Sequence, residues 1–409
     1  MIQYKFVVKL LATFAVFSML SVITGNAAIG DLNAASKTIS GHARSVAAPS
    51  VQWEQTFGGS VGNSTGRRVQ QTTDGGYIIV GTTTSFGANN SRYYLVKTDS
   101  SGKQQWEQTF GGSVGNGTGR GVQQTTDGGY IIVGQTDSFS SGKLKVYLVK
   151  TDSSGSMQWQ QTYGGNKYNF GATVQQTTDG GYVFFGTTVA DNHYLAYLVK
   201  TDSSGTMQWE QTFPGPYDQN GGTSVRQTTD GGYIITGTAI QSRDQSYAYV
   251  AKTDSSGKVQ WEQTFGGKGL TTGMSVQQTK DSGYVIGGAT NSSGAGKQEF
   301  YLIKTDSSGT KQWQQTFGGN GDSIAYAVQQ TNDGGYIIGG TDSLTAANRT
   351  QALLVKTDSS GNMQWQETLS GNGDCAAYDV QQTNDSGYIV VGSTYPGHAS
   401  LVDVYLAKL

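Results

Sequence analysis

The chain has 409 residues, 60 of them Gly and only 4 Pro, with a formal net charge of -2. That length allows a substantial interior, the near-neutral balance offers no basic footprint for nucleic acid, and a single cysteine, Cys375, excludes an intrachain disulfide. Glycine is used about twice as often as average. Because the glycines recur at fixed positions beside Tyr, Ile and Val, they point to tight turns between short strands rather than to disorder.

The N-terminus reads as an export signal. Lys5 and Lys9 give a positive start, an apolar run extends from Leu10 to Thr24, and the small residues Gly25-Asn26-Ala27-Ala28 follow. Cleavage after Ala27 or Ala28 makes residues 1–28 the signal and residues 29–49, rich in Ala and Ser, a flexible linker. The alternative is an uncleaved anchor, for which the run is short of the ~20 residues a span needs. No cysteine near the exit supports lipid attachment, and no later segment can cross a bilayer as a helix.

Seven tryptophans punctuate the remainder, residues 50–409: Trp53, Trp106, Trp159, Trp209, Trp261, Trp313 and Trp365, at gaps of 53, 53, 50, 52, 52 and 52 residues. Each opens the phrase W-[EQ]-[QE]-T-[FYL]. A period near 50 residues signals stacked or radial repeats. The repeat beginning at Arg68 predicts four strands, labelled a to d. Residues 69–72 form a, and Thr73-Asp74-Gly75-Gly76 is a tight turn. Residues 77–82 form b, a β-branched and aromatic run suited to burial on both faces. After a looser stretch, residues 93–97 form c, Asp99-Ser100-Ser101-Gly102 turns, and residues 103–110 form d with its Trp106. The last repeat supplies a, b and c and stops, whereas residues 51–57 are a d strand with nothing before it. Pairing the two ends closes seven four-stranded antiparallel blades into an all-β, seven-bladed β-propeller without exposed terminal edges. An open solenoid is the alternative.

The segment Asp152-Ser153-Ser154-Gly155-Ser156-Met157-Gln158-Trp159 and its counterparts, with the phrase D-G-G-Y-I-[IV]-x-G, resemble the repeats of secreted bacterial and archaeal β-propellers. The resemblance covers nearly all of residues 50–409. More distantly, the chain is similar to quinoprotein propellers, whose outer strand carries a Trp after an Asp/Gly turn. The resemblance implies a surface or extracellular binding or scaffold protein and little chemistry.

Three repeated residues read as scaffold. The tryptophans wedge between blades, each burying about 200 Å2, rather than forming a ring of stacking platforms. Gln71 and its six equivalents, with neighbours Gln70, Gln123, Gln175, Gln277, Gln329 and Gln381, lie on strand a nearest the axis. They read as a hydrogen-bonded girdle. The sharper alternative is a polar channel for a ligand or ion, in which Arg226 is the one asymmetric charge. Lys97 and its six equivalents read as a solvated ring on the face of the tight turns.

Antiparallel order puts the uniform a–b and c–d turns on one face and the variable d–a and b–c connections on the other. Binding residues ride on variable loops held by a rigid frame, so the variable face is the candidate functional face. Its aromatic candidates are Tyr168, Phe170, Tyr217, Tyr326 and Tyr378, and its acidic ones, placed on d–a loops, are Asp218, Asp322, Asp374 and Asp379. Asp218, Asp322 and Asp374, with Arg226, join the aromatics as candidate ligand-binding residues. His193 and His398, on b–c loops of blades three and seven, are too far apart to share a metal. Of the N-x-[ST] sites at Asn63, Asn89, Asn116, Asn291, Asn348 and Asn384, five fall on the variable face.

The leading expectation is a secreted or cell-surface, non-enzymatic binding or adhesion scaffold. It is expected to be monomeric, to use no cofactor or metal, to take a protein or glycan ligand, and to bind no nucleic acid. Two alternatives stand beside it: a secreted propeller enzyme, acting on polysaccharide or quinoprotein-like, and a structural surface-layer component. Quinoprotein chemistry is implied to need metal-ligand carboxylates and often adjacent cysteines, and only Cys375 exists. A glycosidase needs a carboxylate pair roughly 5–10 Å apart, for which the d–a loop aspartates stay open.

Overall fold

A computed structural model describes residues 47–86, 90–140, 142–293, 296–319, 321–344, 349–370, 373–396 and 401–409. The signal segment, most of the linker, Asn89, Asn348 and His398 lie outside the described residues. Seven four-stranded antiparallel sheets form the ring of a β-propeller. In blade 1 strand a is Ser64–Gln71, b is Tyr77–Thr83, c is Arg92–Thr98 and d is Gln104–Phe110. Blade 7 is completed across the chain ends. Trp53–Phe57 pairs with Asp403–Lys408, with Trp53 opposite Lys408 and Thr56 opposite Tyr405.

Strand b is buried on both faces because each face belongs to a different interface. Ile78 and Val80 pack with Tyr130 and Ile132 of blade 2, while Tyr77 and Ile79 pack with Ile389 and Val391 of blade 7. The core among the described residues is therefore seven clusters, each shared by two adjacent blades. The tryptophans do wedge between blades. Each indole lies 5.6–5.9 Å, centroid to centroid, from the first Tyr of strand b in the next blade, from Trp53–Tyr77 to Trp365–Tyr388. Cys375 is buried in the interface of blades 6 and 7, and Ala48 packs against the same cluster as Trp365.

The lysine ring differs from expectation. Lys97 is only 3% exposed and its equivalents are equally buried. Its ammonium donates to Asp74 of the a–b turn, to the Thr98 carbonyl and to Gln105. All seven blades repeat the ion pair at 2.8–3.1 Å. The turn lies beside the end of strand c, so the lysine folds inward onto the Asp instead of outward into water. The second turn glycine makes room: a Cβ on Gly76 would stand 2.1 Å from the Thr98 oxygen and 2.7 Å from the Lys97 nitrogen.

These pairs set an acid limit. Burial alone would raise the carboxyls of Asp74, Asp127, Asp179, Asp230 and Asp281, but hydrogen bonds from Lys, Thr and a Gly N–H override it and hold them at about 2. The folded carboxyl is more acidic than the unfolded one, so the contribution is complete above about pH 4 and is lost as pH falls toward 2. The carboxylates are more than half exposed, so solvent screening keeps each contribution to ~1 kcal/mol or less. The repeat multiplies it. Thermal melting followed from pH 6 to 2 should show a flat plateau and then a cooperative fall below pH 4. A decline already complete at pH 5 would contradict this.

The other difference is the length of strand a. The sequence placed it at four residues, yet it runs Tyr168–Gln176 in blade 3, Asp322–Gln330 in blade 6 and Gly373–Gln382 in blade 7. Tyr168, Phe170, Asp322, Tyr326, Asp374, Tyr378 and Asp379 thus lie on inner strands, not in d–a loops. Polar and glycine residues with poor strand propensity are carried into the sheet because strand b continues opposite them.

Candidate functional site

Each inner strand contains one extra residue. The register with strand b skips between Gly66 and Arg68, Gly119 and Gly121, Gly171 and Thr173, Gly222 and Ser224, Gly273 and Ser275, Ala325 and Ala327, and Ala377 and Asp379. A glycine on strand b permits the bulge, since a Cβ on Gly81 would stand 1.7 Å from the Thr65 oxygen. A bulge re-aims the side chain it adds. Around the ring those side chains are Arg67, Arg120, Ala172, Thr223, Met274, Tyr326 and Tyr378. The Val-Gln-Gln positions that follow are nearly constant, whereas this column is not.

The column is also lopsided. Tyr326, Tyr378, Arg67 and Arg120 stand on four consecutive blades, 6, 7, 1 and 2. The Arg67 guanidinium lies 4.2 Å from the Tyr378 ring centroid, and Tyr378 meets Tyr326 edge to face at 5.3 Å. Burial pushes the phenols of Tyr326 and of neighbouring Tyr395 up to about 12, so both stay neutral at physiological pH. Burial, and then the nearby charge of Arg67, lowers Arg120 to about 10, where it remains protonated at neutral pH.

Next along the axis is a cavity of about 220 Å3 to which every blade contributes. Its charged members are Arg68, Arg226 and Asp379. Arg68 Nη1 is 3.1 Å from Asp379 Oδ1, with the two side chains 19% and 13% exposed. Asp379 Oδ2 also accepts the Val69 N–H at 3.1 Å. Burial raises the Asp379 carboxyl, against the pull of Arg68, the Val69 N–H and Arg226. Arg226 is lowered to about 10 by burial and by Arg68, with Asp379 opposing. Its Nη1 donates to the Val225 carbonyl at 3.0 Å.

The floor is the glutamine girdle, built from amide-to-backbone bonds in both directions across each blade interface. Gln70 Oε1 accepts the Gln124 N–H of blade 2, and Gln124 Oε1 accepts the Thr73 N–H of blade 1. The second bond is present at all seven interfaces. The first is made at six, at 2.5–2.8 Å. The exception faces Gln278, where Arg226 replaces the glutamine.

Of the residues expected from sequence, Arg226 and Asp379 line the axial cavity, and Tyr326 and Tyr378 stand at the bulges of inner strands. The others do not line the cavity. Tyr168 is exposed, and Phe170 is half-buried beside the bulge of blade 3. Tyr217 ends the 3-10 turn Gly215–Tyr217 and stacks on Tyr247 at 5.7 Å. Asp218 is exposed, and its carbonyl lies 2.9 Å from His193 Nδ1. Asp322 Oδ1 accepts the Gln298 N–H at 2.8 Å and braces the b–c connection of the preceding blade, and Asp374 Oδ1 accepts the N–H of Thr350, at the start of strand c of blade 6, at 3.3 Å. Asn116 does the same for Ser91.

Sequence reading passed over Arg67, Arg68 and Arg120, and also the apolar side chains of Val61, Phe86, Val114 and Phe139, which are 45–76% exposed on blades 1 and 2. Aligning the repeats on Val-Gln-Gln and reading the two preceding columns would have found the arginines. Asp379 is the one carboxylate lining the cavity, so no acid pair for hydrolysis is assembled there among the described residues. No group of three His, Cys, Asp or Glu is placed to hold a metal among them either.

No family model and no curated protein matches this chain. Solved structures do match it. It covers 80% of this chain and 50% of a puromycin hydrolase S511A mutant complexed with PGG, at 12% identity and a TM-score of 0.52, so it spans half that protein's length. BBS1N in complex with ARL6DN aligns over 88% of this chain and 96% of that one, at 10% identity and 0.49. Sqt1 from Chaetomium thermophilum aligns over 80% and 79%, at 11% and 0.47. At these identities none of the likenesses says anything of this chain beyond its fold.

Proposed function

We propose that this protein is an exported, non-enzymatic binding scaffold that captures a protein or glycan ligand outside the cell through its variable face, centred on the axial mouth. One observation carries the reading. Seven blades that repeat their turns, girdle and ion pairs almost identically place two arginines and two tyrosines side by side in the bulge column, against Ala, Thr and Met elsewhere. A rigid ring with a single differentiated face suits recognition, and the exposed Phe86 and Phe139, on b–c connections of that face, add apolar contact area. The resemblance to secreted propeller repeats and the signal-like N-terminus support export.

The test is an array of neutral and acidic polysaccharides probed with the full chain and two variants. Phe86→Ser/Phe139→Ser alters the variable face, and Lys103→Glu/Lys258→Glu alters the tight-turn face. The first should weaken captured signals at least several-fold and the second should leave them intact. The reverse pattern would assign binding to the opposite face and end this reading.

A further inference from the structure

We propose that the axial cavity is an anion site in which Arg226 and Arg68 grip the carboxylate of an acidic sugar residue entering from the variable face. This rests on the scaffold reading and names the chemistry of its ligand.

Arg226 is the first ground. Six blades place a glutamine at this position, and each closes a girdle bond to the next blade. An arginine has no acceptor, so at Gln278 the chain forgoes that bond and places a guanidinium in the cavity instead. Departures from a local structural rule concentrate at functional sites.

Charge is the second. Within the cavity two guanidiniums face one carboxylate, and Arg67 and Arg120 occupy the bulges of the inner strands of blades 1 and 2. Asp379 is engaged by Arg68 and the Val69 N–H. Among the described residues Arg226 hydrogen-bonds the Val225 carbonyl, and its guanidinium, a group with five donors, lines the cavity. A guanidinium fork matches a carboxylate with two parallel hydrogen bonds, and the pairing strengthens where water is scarce.

Size and shape specify the rest. About 220 Å3 corresponds to roughly seven waters at ~30 Å3 each. That is below the ~300 Å3 where small-molecule pockets begin. The cavity therefore takes one end group, with the remainder of a chain emerging over the rim. Gln, Ser and Thr side chains line it and suit sugar hydroxyls. Tyr378 and Tyr326 pack edge to face in the bulge column of the same inner strands, with Arg67 stacked on Tyr378.

Titration calorimetry on the full chain tests this with trigalacturonate, galacturonate monomer, neutral galactotriose and sodium sulfate. Trigalacturonate should bind, more weakly as salt rises, and galactotriose should bind at least about 10-fold more weakly. The monomer should retain most of the affinity if the end group is what the cavity holds. Arg226→Gln should lower trigalacturonate affinity about 30-fold or more while its melting temperature holds or rises, because the new amide completes the bond to the Gln278 N–H. Arg226→Lys, which keeps the charge without the fork, should recover only part of the affinity. Equal binding of the neutral sugar, or an unaffected Arg226→Gln, overturns the proposal. Sulfate binding as tightly as trigalacturonate overturns the sugar assignment. If no acid binds while array capture still depends on Phe86 and Phe139, the anion site falls and the scaffold reading stands.

Discussion

Deleting residues 51–57 should cost the ring on the order of 5 kcal/mol or more and leave it aggregation-prone. That strand makes five register pairs with Asp403–Lys408. Phe57 is buried with Val404 and Leu406, Trp53 rests on Tyr77 of blade 1, and the Tyr405 hydroxyl donates to Glu54 at 2.5 Å. Losing a buried Phe or Trp typically costs about 3–5 kcal/mol, with the half-buried Trp53 at the low end. The total approaches the whole stability of an ordinary domain, about 5–15 kcal/mol. It also bares the backbone of strand c in blade 7. Melting by circular dichroism and size-exclusion chromatography should show a lost or broadened transition and soluble aggregate. A synthetic peptide of residues 47–57 added in trans should restore part of the transition. An unchanged melting temperature would mean that the circle is held by the inner strands alone, through Arg68–Asp379 and the Gln71–Gln381 bond.

The second large effect is expected at the buried lysines. Asp74→Ala should destabilise by about 2–4 kcal/mol, because it leaves the Lys97 ammonium in a site 3% exposed with only neutral acceptors. The same carboxylate accepts from the Thr72 hydroxyl and the Gly76 N–H, so the turn loosens too. Asp74→Ala combined with Lys97→Met should cost less than Asp74→Ala alone, since the unpaired buried charge is gone. Urea unfolding should show lower midpoints with unchanged slope, and the double variant between the single variant and the parent. A double variant worse than Asp74→Ala would show that the lysine stem and its hydrogen bonds to Thr98 and Gln105 outweigh the charge. Six other blades allow the same measurement, and equal results at Asp127 and Lys150 would show that the pair acts locally.

Much of the architecture could be read from the residues in order. The tryptophan period counted the blades. The unmatched strands at the two ends implied closure, and Trp53 does pair opposite Lys408. The alternation of uniform and variable connections separated the faces. The candidate site was only partly legible. Arg226 drew attention because it breaks a column, and Tyr326 and Tyr378 because they are large and aromatic. Asp322 and Asp374 looked equally suited, yet their carboxylates are committed to backbone N–H groups 24 residues away in sequence, at or beside the start of strand c of the preceding blade.

The sequence by itself determined the repeat, the number of blades, the turn chemistry and the two-sided plan, because these follow from local propensity and periodicity. Tertiary structure alone decided which polar side chains are buried. Lys97 looks like a surface lysine until strand b sets the Asp74 turn beside it and the neighbouring blades exclude water. The bulge column was likewise invisible. One extra residue in strand a matters only against its paired strand, where a glycine admits it, and only closure of the ring brings Arg67 of blade 1 onto Tyr378 of blade 7.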